Sequence, residues 1–284
     1  MFSFLTSHSK SLWRRGLYAL MAFVMAIGIG LATPTPSHAS LFDLIFQGIR
    51  YVQLANLSDR DEVNLGTQID RQLKARQGVR VYNRNADINA YVNDIGQRLA
   101  ATSDRPHIPY TFQVVDNNSV NAFATMGGFV YIQTGLIRAA RNEAELAGVM
   151  AHEIGHITGR HALQQMRQTA LASGIAGALR VNQDTLVNLG VQLALQLPNS
   201  REAEHDADRR GFHNMGRAGY DTTGFITFMQ QLERRSGSPP EFLSTHPNPG
   251  NRVNNLQSMH NAGEYDNAGY GTDEAAYQAR IRGL

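Results

Sequence analysis

The feature that most constrains this chain is the run AELAGVMAHEIGH over residues 144–156, where two histidines and a glutamate interrupt a small, apolar stretch. Flanks such as Ala147, Val149, Met150, Ala151, Ile154 and Ile157 predict a helix buried within a domain, not an exposed helix with a polar stripe. Burying polar groups without partners costs about 2–7 kcal/mol each, so His152, Glu153 and His156 need something to satisfy them. Helical residues four apart lie about 40° round the axis and roughly 6 Å along it. Both imidazoles can therefore reach one metal ion from the same face, with Glu153 beside them. The His-Glu-x-x-His spacing predicts a metal centre of one ion per chain, and zinc suits imidazole and carboxylate ligands with one position left open. Bound zinc lowers the pKa of water to about 7, and Glu153 is placed to take the proton as that water attacks a carbonyl.

A third protein ligand is required, and two sources compete. Continuing along the chain, Gly159 fits a pattern whose third histidine would fall at position 162. That residue is Ala162, and His161 comes one position early. On an uninterrupted helix His161 would point about 140° away from His156, so this source is rejected. The second source is a later helix. SREAEHDAD over 200–208 holds Glu204-x-x-x-Asp208, where Glu204 would ligate and Asp208 would accept the second imidazole N–H of a ligand histidine. Glu202 has Asp206 four residues later, so spacing alone does not separate the two glutamates.

Resemblance separates them. SREAEHDADRRG resembles the Ser-Arg-x-x-Glu-x-x-Ala-Asp motif of the gluzincin zinc metallopeptidases that include the CAAX prenyl endopeptidases and HtpX-type proteases. The likeness runs from about residue 60 to 257 and includes NAFATMGGFVYIQTGL at 121–136, AELAGVMAHEIGH at 144–156, and Ser244-Thr245-His246-Pro247 followed by Arg252. The many membrane spans of the prenyl enzymes are missing, so the soluble exported branch, BepA- and LoiP-like, fits best. This resemblance implies a zincin-like metallopeptidase domain that hydrolyses peptide bonds of unfolded or misassembled envelope proteins, in a quality-control role. It implies His152, His156 and Glu204 as zinc ligands, Glu153 as catalytic base and Asp208 behind a ligand. It also implies that Gly128, Phe129, Val130 and Tyr131 form an edge strand able to pair with substrate. His246 is expected to approach the open metal position as a transition-state donor or a reversible cap, or else to stabilise its loop. Arg252 would steady a substrate carbonyl or pair with a nearby acid. A chaperone-like binding protein using the same cleft is the alternative; an intact Glu153 argues against it.

The N-terminus reads as an export signal: Lys10, Arg14 and Arg15, an apolar run from about Gly16 to Leu31, and Ser37-His38-Ala39 as a cleavage site. An uncleaved anchor is the competing reading, though the run is short for a membrane span. The expected organisation is therefore a signal peptide over 1–39 and one metallopeptidase domain over 40–284, with its core at about 60–257, in the periplasm or cell envelope. The three leading bases explain the formal charge of +2; the rest of the chain has 23 bases against 24 acids, which gives nucleic acid no electrostatic hold. There is no cysteine, so disulfides, thiolate ligands and a cysteine nucleophile are excluded.

Periodicity predicts an α+β, mostly helical fold with a small antiparallel sheet. An amphipathic segment is expected over 41–57, with helices over 60–77, 86–102, 142 to about 180, 184–197, 199–217, 223–235 and 249–259. Strands are expected over 110–115 and 129–133. Residues 162–197 are rich in apolar side chains, and are expected to pack into the core, to cover the cleft or to contact a membrane surface. No feature of the sequence sets an oligomeric state.

Overall fold

Helices α1 (Asp59–Arg76) and α2 (Ala86–Ala101) open the fold and begin as their sequences dictate. Ser58 accepts a hydrogen bond from the Asp61 N–H and Asn85 from the Asp87 N–H, the side-chain caps that serine and asparagine favour. The computed structural model describes residues 57–172, 183–196, 199–234, 240–247, 249–265 and 269–284. The export signal and the amphipathic segment up to residue 56 lie outside them, as do 173–182 and 197 of the apolar segment. All described residues belong to one compact unit, Phe46–Leu284. Among them, no helix is long and apolar enough to cross a membrane.

Strands β1 (Thr111–Val115), β2 (Ala122–Thr125) and β3 (Phe129–Gln133) form a sheet in the order β1-β3-β2. The two expected strands, β1 and β3, pair in parallel and not antiparallel as expected; β2, for which no strand was expected, pairs antiparallel with β3, so the sheet is mixed. The reason is the reversal at Met126–Gly128, where Gly127 and Gly128 adopt φ of 79° and 97°, values that glycine takes without a Cβ clash. This turn folds β3 back between its two neighbours. The strand 129–133 is thus the centre of the sheet and not its edge.

A short helix α3 (Thr134–Ala139) leads to α4 (Glu143–Thr158), in which every residue from Ala144 to Ile157 is buried. Asn142 caps α4, accepting from the Glu145 N–H at 2.9 Å. The helix expected to continue to about residue 180 stops at Thr158. Arg160 takes a left-handed φ of 55°, and a new helix, α5 (His161–Ala172), begins after it. Then follow α6 (Gln183–Gln196), α7 (Arg201–Arg217), α8 (Thr223–Glu233), a short α9 (Glu241–Thr245), α10 (Pro249–Asn261) and α11 (Glu274–Ile281). The main core surrounds α4. A second cluster joins Leu65, Ile69 and Leu73 of α1 to Val187, Val191 and Leu193 of α6, so these apolar residues of the 162–197 segment pack inward.

Candidate metal centre

Helix α4 presents His152, Glu153 and His156, and α7 crosses it at a close contact. A Cβ on Gly155 would fall 2.5 Å from the Ala207 carbonyl oxygen, so only glycine lets the helices approach this far. That proximity carries Glu204 and Asp208 to the two histidines. Ser200 caps α7 by accepting from the Ala203 N–H. His246 arrives from the segment after α9, its ring stacked on Phe242 at 4.4 Å between centroids.

The side chains of His152, His156, Glu204 and His246 converge as one buried group. The facing ring nitrogens, His152 Nε2 and His156 Nε2, are 3.0 Å apart. Glu204 carboxylate oxygens lie 3.5 Å from the first and 3.3 Å from the second. His246 Nδ1 is 3.2 Å from both His152 Nε2 and Glu204 Oε1. Ligands at the usual zinc distance of about 2.0–2.1 Å, arranged as a tetrahedron, stand about 3.3–3.4 Å from one another. The spacing, the imidazole–carboxylate donor set and the burial all fit zinc. Glu153 Oε1 and His246 Nε2 face each other across 3.4 Å without hydrogen-bond geometry, and neither has another partner among the described residues.

His152, Glu204 and His246 are also held from behind. His152 Nδ1 lies 2.9 Å from Asp208 Oδ1. Arg252, fully buried, grips both Asp208 oxygens at 2.7 Å, reaches Glu204 Oε2 at 2.7 Å and donates to the His246 carbonyl at 3.1 Å. Its guanidinium is committed to acids and backbone, so it stands as an ion-pair partner; the expectation that it steadies a substrate carbonyl is corrected. The edge-strand assignment of Gly128, Phe129, Val130 and Tyr131 is corrected too, because β3 is hydrogen-bonded on both sides and has no free edge to offer.

Charge follows from these contacts. Burial works against a charged His152, yet the hydrogen bonds to Asp208 and Glu204 hold it up at about 9, while burial drives His156 down to about 3. Burial also pushes the Glu153 carboxyl up, against the pull of His246 and His152. For Glu204, burial is outweighed by the surrounding histidines, and its carboxyl lies well below the ordinary range.

His161, set aside on the sequence because a continuous helix would turn it away, comes back to the site through the break at Gly159-Arg160. Its Nδ1 is 2.9 Å from His156 Nδ1. A left-handed arginine carries no sequence signature, which is why the residue was missed.

A buried His-Glu-x-x-His helix crossed by a glutamate-bearing helix, with a small sheet alongside, defines a zincin-like metallopeptidase domain. Residues 86–260 match Peptidase family M48, and the chain belongs to that family. It is 33% identical over 223 residues to a β-barrel assembly-enhancing protease of Yersinia pestis, covering 73% of this chain and 45% of that protein. The Escherichia coli K12 protein of the same name is 29% identical over the same span. Mitochondrial metalloendopeptidase OMA1 of Schizosaccharomyces pombe is 25% identical over 224 residues, 75% of this chain and 66% of that one. The chain thus spans less than half the length of the two bacterial relatives.

Proposed function

We propose that this protein is an exported zinc endopeptidase that cleaves unfolded or misassembled proteins of the cell envelope. The observation that carries the reading is the near-tetrahedral pitch of His152, His156, Glu204 and His246 beside a buried Glu153. His152, His156 and Glu204 hold the metal, and Asp208 fixes His152 with its Nε2 lone pair directed at it. Zinc supplies a Lewis acid and water of lowered pKa. Glu153 takes the proton from the attacking water and delivers it to the departing amine; a carboxyl raised by burial is suited to both transfers. His246 acts as the reversible cap: its Nδ1 sits where a fourth ligand would, so hydrolysis requires its loop to withdraw. The relatives' names connect two of them with β-barrel assembly, which supports an envelope substrate. The chain is organised in this reading as a signal peptide over 1–39, from its basic start, apolar run and Ser37-His38-Ala39, and a catalytic domain over 40–284.

Substrate pairing falls to β2. Gln133 N–H donates to Asn121 O at 3.1 Å, which sets the phase of the antiparallel ladder. Phe123 and Thr125 then bond to β3, and Ala124 turns its N–H and C=O to the open side. Phe123, Ala124, Thr125 and Met126 line the same cleft as Glu153 and His156, so an extended peptide added there would pass the metal. Reduced, unfolded casein and a folded, disulfide-intact protein are the test substrates. Degradation of the first alone, lost in Ala124→Pro at full zinc content, supports the reading. Unimpaired cleavage by Ala124→Pro removes β2 as the docking strand, and binding without cleavage by wild type and His246→Ala alike favours the chaperone-like alternative.

A further inference from the structure

The two ligand histidines are supported differently. His152 Nδ1 faces the Asp208 carboxylate, whereas His156 Nδ1 faces another imidazole, His161 Nδ1, at 2.9 Å in a buried edge-on contact. Two ring nitrogens at this distance need one donor and one acceptor. His156 must keep its Nε2 lone pair for the metal, so its Nδ1 carries the proton and His161 Nδ1 accepts it. His161 then carries its own proton on Nε2, which is 3.2 Å from Asp206 Oδ2. Asp206 is in turn fixed by Arg209 and Arg210, each at 2.5 Å, and Arg210 is anchored on Asp104 at 2.8 Å.

We propose that His161 is a positioning residue of the metal centre: accepting from His156 and donating to Asp206, it locks His156 in the tautomer and ring orientation that ligate zinc. This rests on the reading of His156 as a ligand. Two independent features show that the fold is built to deliver this ring. The chain adopts a left-handed conformation at Arg160, a non-glycine residue, at a cost of about 1–3 kcal/mol. It is held there by α1, where Arg160 pairs with Asp59 and Glu62 and Arg105 donates to the Ile157 carbonyl at the end of α4. In addition, a Cβ on Gly159 would fall 2.4 Å from His161 Nε2 and 3.0 Å from Asp206 Oδ2, so glycine leaves the space that the His161–Asp206 pair occupies. The imidazole is a weaker acceptor than the carboxylate behind His152, which makes His156 the less strongly polarised of the two ligands.

Zinc affinity, measured by competition with a chromophoric chelator on the full chain, separates the possibilities. His161→Ala should weaken zinc about 10–100-fold, the usual effect of losing such a partner, and Asp206→Ala should weaken it less. His161→Asn, whose amide oxygen can accept near the Nδ1 position, should recover most of the loss. The ¹⁵N shifts of His156 in the zinc-loaded wild type need no variant: a protonated Nδ1 and a coordinated Nε2 are expected. Unchanged affinity in a folded His161→Ala, or an Nε2-protonated His156, overturns the proposal. His156→Ala distinguishes the underlying reading, because zinc retained there would show that His156 is not a ligand at all.

Discussion

Gly155→Ala tests how closely the crossing of α4 and α7 sets the metal geometry. In an unconstrained helix this change would stabilise by about 1 kcal/mol through helix propensity. Here the new methyl would lie 2.5 Å from the Ala207 oxygen and 3.0 Å from the Ala207 Cα. An ordinary carbon–oxygen contact is about 3.3 Å, so the helices must part by about 0.8 Å. Glu204 rides on α7 one turn before Ala207, and its oxygens now stand 3.3–3.5 Å from the ligand nitrogens. A metal site tolerates about 0.2 Å in its ligand distances, four times less than the displacement. Disturbing the support of a metal ligand typically costs about 10–100-fold in affinity, so zinc binding should weaken towards about 100-fold, or about 2.7 kcal/mol. Overpacking should also cancel the propensity gain and leave the zinc-free protein about 0–2 kcal/mol less stable. Chelator competition gives the first quantity and urea unfolding of the metal-free protein the second. A Gly155→Ala protein that binds zinc within threefold of wild type and is more stable would refute the argument that this contact places Glu204.

Two further outcomes follow from the ion pairs. Arg252→Met removes the buried guanidinium that pairs with both Asp208 and Glu204, leaving His152 as their remaining cationic partner, and should cost about 3 kcal/mol in urea unfolding of the metal-free protein; a loss below 1 kcal/mol would mean that the guanidinium is dispensable. Asp59 is held down at about 2, chiefly by its hydrogen bond to His107 and by Arg105 and Arg160 against the effect of burial. A carboxyl depressed in the folded state contributes fully above its unfolded value near 4, and loses that contribution as pH falls towards 2. The urea midpoints of wild type and Asp59→Asn should therefore differ at pH 6, differ less by pH 3 and converge towards pH 2; a constant difference would contradict the assignment.

What the sequence reveals of this site is what local spacing encodes. His152 and His156 on one face, and Glu204 with Asp208 on another, are four-residue relations that any helix imposes, and the caps at Asn142 and Ser200 are equally local. The helices over 60–77, 86–102 and 199–217 match α1, α2 and α7 to within two residues because their apolar faces repeat over several turns. Short helices such as α3 and α9 have too few turns to show a period. Residues 129–133 sit at the centre of the sheet and not at its edge because β2, too short to show as a strand in the sequence, pairs on their far side, and long-range pairing of that kind is not encoded locally. Arg252 needed knowledge of partners 44 residues away, and His161 needed the left-handed break at Arg160. Each miss lies where tertiary contact overrides a local rule.

The central claim is that Glu153 performs the proton transfers at a zinc ion held by other residues. Hydrolysis of unfolded casein by wild type and Glu153→Gln, each assayed for bound zinc, tests it directly. Glu153→Gln should keep about one zinc per chain and lose about 10²–10⁴-fold in cleavage rate. Cleavage within a few-fold of wild type at full zinc occupancy would contradict the account.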